Sequence, residues 1–452
     1  MDELSLNSKK PVFIALLFFA LLAAGAFFSG VNLLGVGIIG ILLIILFILN
    51  PFWGLLSLSV LFPLQELELF RTAPEQRTYL FFAGIIVACC WLINYLAKKK
   101  KTAIRIAGKP VRLFIIYFFW GTVSLLWAQD KTATFSRLVV FFNMLLLYLI
   151  FQDVVRTKRQ LKIFTSVYFV ALLLYSVTVI KMYLSSSMAR ISLTEAQNPN
   201  SFSRYLAIGL ILLPYVLMEW RKSILVKWGI IASAFFFIVA IIMAGSRGVF
   251  LALLATIIFA WLISKNRTRN FTILTIIGAT LLVGANFLFQ KGFWSGYTRS
   301  RINSTFLVNS PQGGESRVNI GIVGLQMVKD NPIFGVGLGN FPVRFKDYIS
   351  QSSSFLRSWN GVYPGRDPHN VYLSVQAELG IIGTILFLAF FWSIFRNLWV
   401  YRNRPEGYLA LTLLVFIFFA GITGTNQYAK YFWLVLSLAT TIPLICKNEQ
   451  KN

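Results

Sequence analysis

Residues 79–101 read YLFFAGIIVACCWLINYLAKKKK. An apolar run able to cross a hydrocarbon core, which takes roughly 20 residues, ends abruptly in four lysines. The lysines stay in water and mark the cytoplasmic end of a span. Outward from this stretch the pattern repeats. Apolar runs lie at about 11–29, 31–49, 52–65, 79–97, 111–127, 134–152, 160–180, 203–219, 226–244, 248–264, 270–289, 370–395, 407–422 and 431–446. The runs at 52–65 and 407–422 are short and read as re-entrant or tilted pieces. The expected fold is an all-α polytopic membrane protein with 12–14 transmembrane helices.

Composition agrees. Of 452 residues 57% are hydrophobic and only 13% charged, against about 25% in a soluble domain. This excludes a soluble enzyme, a disordered chain and a disulfide-stapled domain. The start, MDELSLNSKK, runs straight into apolar residues and reads as a first span with a cytoplasmic N-terminus. Cys89, Cys90 and Cys446 fall in or at the ends of apolar runs and read as small core residues.

The net charge of +26 raises the question of nucleic acid. The position of the basic residues answers it. With a cytoplasmic N-terminus, 24 of the 42 lysines and arginines fall in segments that follow even-numbered spans, or at the termini. The charge is therefore a topology signal, and the expected partners are membrane lipids, not nucleic acid. The same parity puts both termini in the cytoplasm and the break at 290–369 outside. The expected organisation is an N-terminal bundle at 1–289, an external loop at 290–369 and C-terminal spans at 370–452. Within the loop, Val318, Ile322, Leu325 and Val328 repeat at helical spacing and predict an amphipathic helix that stops at Asp330-Asn331-Pro332.

Candidate chemistry gathers on the external side. His369, the only histidine, stands in Arg366-Asp367-Pro368-His369-Asn370. Asp367 is expected to cap the following helix, with Pro368 in its first position and His369 in its first turn. A neutral imidazole there can take a proton from a hydroxyl, and Asp367 is near enough to orient it. Arg247, in Ala244-Gly245-Ser246-Arg247-Gly248, sits at membrane depth with no acidic residue nearby in sequence, which makes it a functional candidate. Arg317 opens the loop helix, where amides and guanidinium together suit an anion. Arg190 and Arg204 flank a smaller external insert that contains Asn198-Pro199-Asn200. The run Gly335-Val336-Gly337-Leu338-Gly339-Asn340-Phe341 lacks the strand–helix context of a nucleotide site and reads as a tight turn packed on helices. One histidine and no suitable cysteine argue against zinc; no metal or cofactor is expected. An external base, two external arginines and an apolar bundle describe glycosyl transfer from a lipid-linked pyrophosphate donor.

Ser246-Arg247-Gly248, Ser316-Arg317, NPIFGVGLGNF at 331–341, and Pro368-His369-Asn370-Val371-Tyr372-Leu373 with Glu378-Leu379-Gly380-Ile381-Ile382-Gly383 resemble the O-antigen ligase and polymerase superfamily over about 198–385. The resemblance implies a helical inner-membrane glycosyltransferase with a periplasmic active site. It implies an undecaprenyl-pyrophosphate-linked glycan donor and metal-independent, inverting transfer. By position, His369 matches the family's catalytic histidine, and Arg247 and Arg317 its pyrophosphate-binding arginines. Asn200 fits a further position; with Arg190, Asp367 and Asn370 it completes the candidate substrate-binding set. The expected reaction is O-antigen ligation to a lipid A–core sugar. The alternatives are polymerisation onto a second lipid-linked repeat, protein O-glycosylation, and lipid-linked sugar transport without bond-making.

Overall fold

The computed structural model describes residues 33–64, 79–97, 108–185, 199–220, 223–244, 246–264, 314–350 and 367–450. Among them all regular structure is helical. The spans expected at 11–29 and 270–289, Arg190 and much of the 290–369 loop lie outside the described residues. The other twelve apolar runs are all helices: α1 Leu33–Leu49, α2 Pro51–Leu64, α3 Tyr79–Ala97, α4 Gly108–Val123, α5 Lys131–Val154, α6 Lys158–Ser185, α7 Pro199–Trp220, α8 Ile224–Ala244, α9 Arg247–Ile263, α12 Val371–Trp399, α13 Pro405–Ala420 and α14 Lys430–Glu449. Two further helices, α10 Gly314–Asp330 and α11 Phe341–Ser350, lie between α9 and α12. Nine of the described helices are long and apolar enough to cross a membrane, and the chain is a multi-pass membrane protein.

A lipid interior offers no hydrogen bonds, so each span closes its own backbone as a helix. The bundle is locked by aromatic packing between distant helices. Trp433 of α14 is fully buried and stacks on Phe114 of α4 at 4.3 Å between centroids. Phe114 in turn packs on Phe390 of α12. Outward-facing Phe119, Leu174 and Leu251 are each more than half exposed, a surface that suits acyl chains and not water. Cys89 also lies on the exposed side, contrary to its reading as a core residue, whereas Cys90 and Cys446 are buried.

The bundle has two chemically different ends. Every described inter-helix ion pair lies at one of them: Lys158 with Glu406 and Glu449 at 3.2 and 3.1 Å, Lys162 with Glu219 at 3.2 Å, and Arg404 with Glu449 at 3.2 Å. The other end gathers the start of α5, α7, α9, α12 and α14, with Asn200, Arg247, Asp367, His369 and Asn370 among the sequence candidates.

The loop helix α10 stops at Asp330, as its sequence predicts, but it buries a different face. Ile320, Val323 and Met327 are buried, whereas Val318, Ile322 and Leu325 are exposed. The helix is apolar on both faces, so spacing alone leaves its orientation open. The decision falls at Gly324, where a Cβ would come within 2.8 Å of Leu373 of α12. The buried face joins Val336, Phe341, Phe345, Tyr348, Ile349 and Ala377 in a small second core against α12.

Candidate functional site

The floor of the site is a broken helix. At Gly380, α12 has φ 65° and ψ −165°, a conformation open essentially to glycine alone. The break frees backbone groups that lipid cannot satisfy, and the glycine run at 335–339 takes them up. The Val336 N–H donates to Ala377 O at 2.9 Å, and the Gly337 N–H to Glu378 O at 2.8 Å. The Trp120 indole N–H of α4 donates to Leu379 O at 3.0 Å. In return, the Ile381 N–H donates to Pro332 O at 2.9 Å. The run is thus the tight packing turn expected from its residues. Asn340 fastens its far side to α5: its Nδ2 donates to Thr134 Oγ1 at 2.8 Å, and its Oδ1 accepts from the Asp130 N–H at 2.8 Å.

One turn of helix above Ser374, the chain adopts a conformation that the sequence did not suggest. Asn370, not Asp367, caps α12; its Oδ1 accepts from the N–H groups of Tyr372 at 2.9 Å and Leu373 at 3.1 Å. His369 therefore precedes the helix and does not lie in its first turn. Its φ is +50°, the one positive value outside glycine among the described residues. A histidine there is uncommon, and such backbone strain concentrates at functional sites. An asparagine accepting two amides outcompetes Asp367 because it stands directly before the first helical residue. The side-chain oxygen of Asn370 is committed to this cap.

A second group forms where α7, α9 and the α13–α14 connector meet. The Ser246 hydroxyl donates to Asn200 Oδ1 at 2.8 Å, so Asn200 stands beside the N-terminus of α9, which Arg247 opens. Arg204, 3% exposed, donates through Nη2 to Thr423 O at 3.1 Å. No carboxylate pairs with it among the described residues, and its Nε has no hydrogen-bond partner there. A buried cation without a counter-ion is costly and leaves charge for a bound anion. Arg317 lies in the first turn of α10; its side chain is outside the described residues.

The connector at 421–429 joins the two groups. Its Gln427 Nε2 donates to Ser374 Oγ of α12 at 2.8 Å, and its Tyr428 hydroxyl to Glu378 Oε2 at 2.9 Å. Tyr372 of α12 donates to Phe418 O of α13 at 2.6 Å. Sequence reasoning passed over Arg137, Thr423, Gln427 and Tyr428, and met Glu378 only as part of a motif, without a role. The available signal was a polar interruption, GITGTNQY at 421–428, between two spans. Among the described residues, no three His, Cys, Asp or Glu side chains gather as a metal would require.

Comparison with known proteins converges on the same region. The O-antigen ligase family profile matches residues 232–388. An O-antigen ligase of Pseudomonas aeruginosa is 31% identical over 132 residues, 28% of this chain. The match spans 30% of that relative's length. The profile's range takes in Ser246, Arg247, Arg317, the glycine run, His369 and Gly380, and leaves out Arg137, Asn200 and the α13–α14 connector. Residues 232–388 are therefore similar to the O-antigen ligase family, and the chain spans under a third of the length of the curated relative it matches.

Proposed function

We propose that this protein is an O-antigen ligase that transfers an undecaprenyl-pyrophosphate-linked glycan to a lipid A–core sugar hydroxyl at the periplasmic face of the inner membrane. The observation that carries the reading is the end of the bundle that holds both the strained His369 turn and an uncompensated arginine, Arg204, beside Asn200 and the Arg247 helix start. His369 takes the proton of the acceptor hydroxyl. The freed oxygen attacks the anomeric carbon of the donor from the face opposite its pyrophosphate, and the carbon–oxygen bond to pyrophosphate breaks with inversion. The departing charge falls on Arg247, Arg317 and Arg204, where a water-poor site makes each cation count for more. No step calls for a metal. The far end, rich in ion pairs, faces the cytoplasm together with both termini, in keeping with the basic loops.

Purified protein with lipid-linked donor and lipid A–core acceptor tests the reading. Wild type is expected to give the joined product, and His369→Ala and Arg317→Ala to lose at least about a hundredfold in rate, the scale of removing a proton acceptor or a charge stabiliser. Full transfer by both variants overturns the assignment. A deletion strain is expected to accumulate polymer on the lipid carrier; single repeats on the core would instead identify a polymerase.

A further inference from the structure

The turn Tyr401-Arg402-Asn403-Arg404-Pro405 joins α12 to α13 at the ion-paired end of the bundle. It is tightly built. The N–H groups of Tyr401, Arg402 and Arg404 donate to the carbonyls of Leu398, Trp399 and Tyr401 at 2.8, 3.3 and 2.9 Å. Gly407 permits the close approach, since a Cβ there would collide with Tyr401 O. The two arginines are therefore held in place, but their charges differ. Arg404 shares Glu449 with Lys158, and Lys158 also meets Glu406, so two cations face two carboxylates. Arg402 pairs with no carboxylate among the described residues. Its Nη1 donates to Trp399 O at 3.0 Å, and its guanidinium lies 5.0 Å from the centre of the Trp399 ring. The cluster thus holds one cation more than it has acids.

Beside these arginines a groove of about 480 Å³ opens between α7, the end of α9 and α13, within the roughly 300–1,000 Å³ of small-molecule sites. Its walls are apolar: Ile211, Pro214 and Met218 of α7, Ile263 of α9 and Leu409 of α13. The Tyr408 hydroxyl donates to Ala260 O at 3.0 Å and ties α13 to α9 along one side. Thr412 also lines the groove; it lies about two turns past Arg404, roughly 12 Å along a helix axis, and its hydroxyl is used within its own helix. Polarity therefore runs along the groove, cationic at the mouth and apolar in depth. Tyr215, 5% exposed, lines it too, and its hydroxyl has no hydrogen-bond partner among the described residues. Apolar walls offer water little, and at membrane depth the surrounding filler is acyl chain. We propose that the groove holds an anionic glycerophospholipid of the leaflet that this end of the bundle faces. One acyl chain lies between α7 and α13, and the phosphate sits on Arg402 at the mouth, where a planar guanidinium matches its oxygens with paired donors. The lipid-linked glycan donor is not the occupant, because its pyrophosphate belongs at the opposite end in the function proposed above; only this exclusion rests on that reading.

Native mass spectrometry of the full-length protein tests the proposal, with phosphatidylglycerol and phosphatidylethanolamine of identical acyl chains as probes. Wild type is expected to retain phosphatidylglycerol several-fold better. Arg402→Gln is expected to lower that retention about fivefold, the worth of one basic side chain at a membrane surface, and to leave phosphatidylethanolamine unchanged. Ile211→Trp, which fills the groove, is expected to lower retention of both lipids. Where Ile211→Trp does not fold, photolabelling of wild type carries the test: phosphatidylglycerol with a diazirine in its acyl chain must label peptides of α7 and α13. Equal retention of the two lipids, wild-type retention in Arg402→Gln, or label confined to other helices overturns the proposal. Displacement of phosphatidylglycerol by an equal amount of undecaprenyl phosphate gives the groove to a polyprenyl lipid and overturns it as well. Binding is read without transfer, so the result is separate from the assay of His369→Ala and Arg317→Ala, which decides the proposed reaction.

Discussion

Replacing Gly380 with alanine tests whether the broken helix supports the site. At φ 65° and ψ −165° a side chain is strained, at about 1–3 kcal/mol. A Cβ at this position would also collide with the backbone of Ile333 and Phe334, so the loop must retreat. Retreat takes with it the bonds from Ile381 to Pro332, Val336 to Ala377 and Gly337 to Glu378, each worth about 1 kcal/mol net in water and more where lipid is the only alternative. Loss of the set plus strain comes to about 4–6 kcal/mol, comparable to the whole stability of many domains. Partial retreat costs less but releases residues 331–340 from α12. The expected result is a clearly lowered thermal midpoint in detergent, new protease cleavage within 331–340, and loss of transfer. A wild-type midpoint and cleavage pattern for Gly380→Ala would refute the claim that the loop and the break are one interlocked unit.

Substitutions at two further positions probe neighbouring parts. Asn370→Ala should lose about 1 kcal/mol of stability with the cap and reduce transfer through the adjoining His369, whereas Asn370→Asp, which still accepts from both amides, should restore the thermal midpoint. Ser246→Ala removes the hydrogen bond that holds Asn200 beside the Arg247 helix start; an effect of about 1 kcal/mol should appear as a roughly fivefold higher KM for the donor, and an unchanged KM would detach Asn200 from donor binding.

The spans were legible because lipid enforces them: a run such as Tyr79–Ala97 has no other stable conformation there. The end of α10 was legible for a local reason, since Pro332 cannot continue the helix. Its buried face was not, because Gly324 gains meaning only opposite Leu373. In the site, His369, Arg247 and Asn200 stand out in sequence as a lone imidazole, a bare cation in an apolar segment and a polar break before a span. Arg137 and Glu378 do not, since each looks like an isolated charge near a helix. Their relation appears only when Tyr428, far along the chain, closes between them, its ring under the Arg137 guanidinium and its hydroxyl on Glu378. The cap passed from Asp367 to Asn370 because several polar residues in a row compete for the same amides, and composition does not choose among them.

The broken α12 also carries an order of events. Trp120, Pro332, Val336 and Gly337, which satisfy the break, all precede it in the chain. During synthesis, therefore, the partners have left the ribosome before the helix that needs them, and α12 can enter the membrane without a period of exposed carbonyls. Tyr428, which ties down Glu378, comes afterwards. The floor of the candidate site can thus be laid down early, while the Glu378 carboxylate stays untied until the last two helices arrive. Closing the connector becomes the final step of assembly, and a chain cut short before α13 would hold its glycine loop in place without Gln427 and Tyr428.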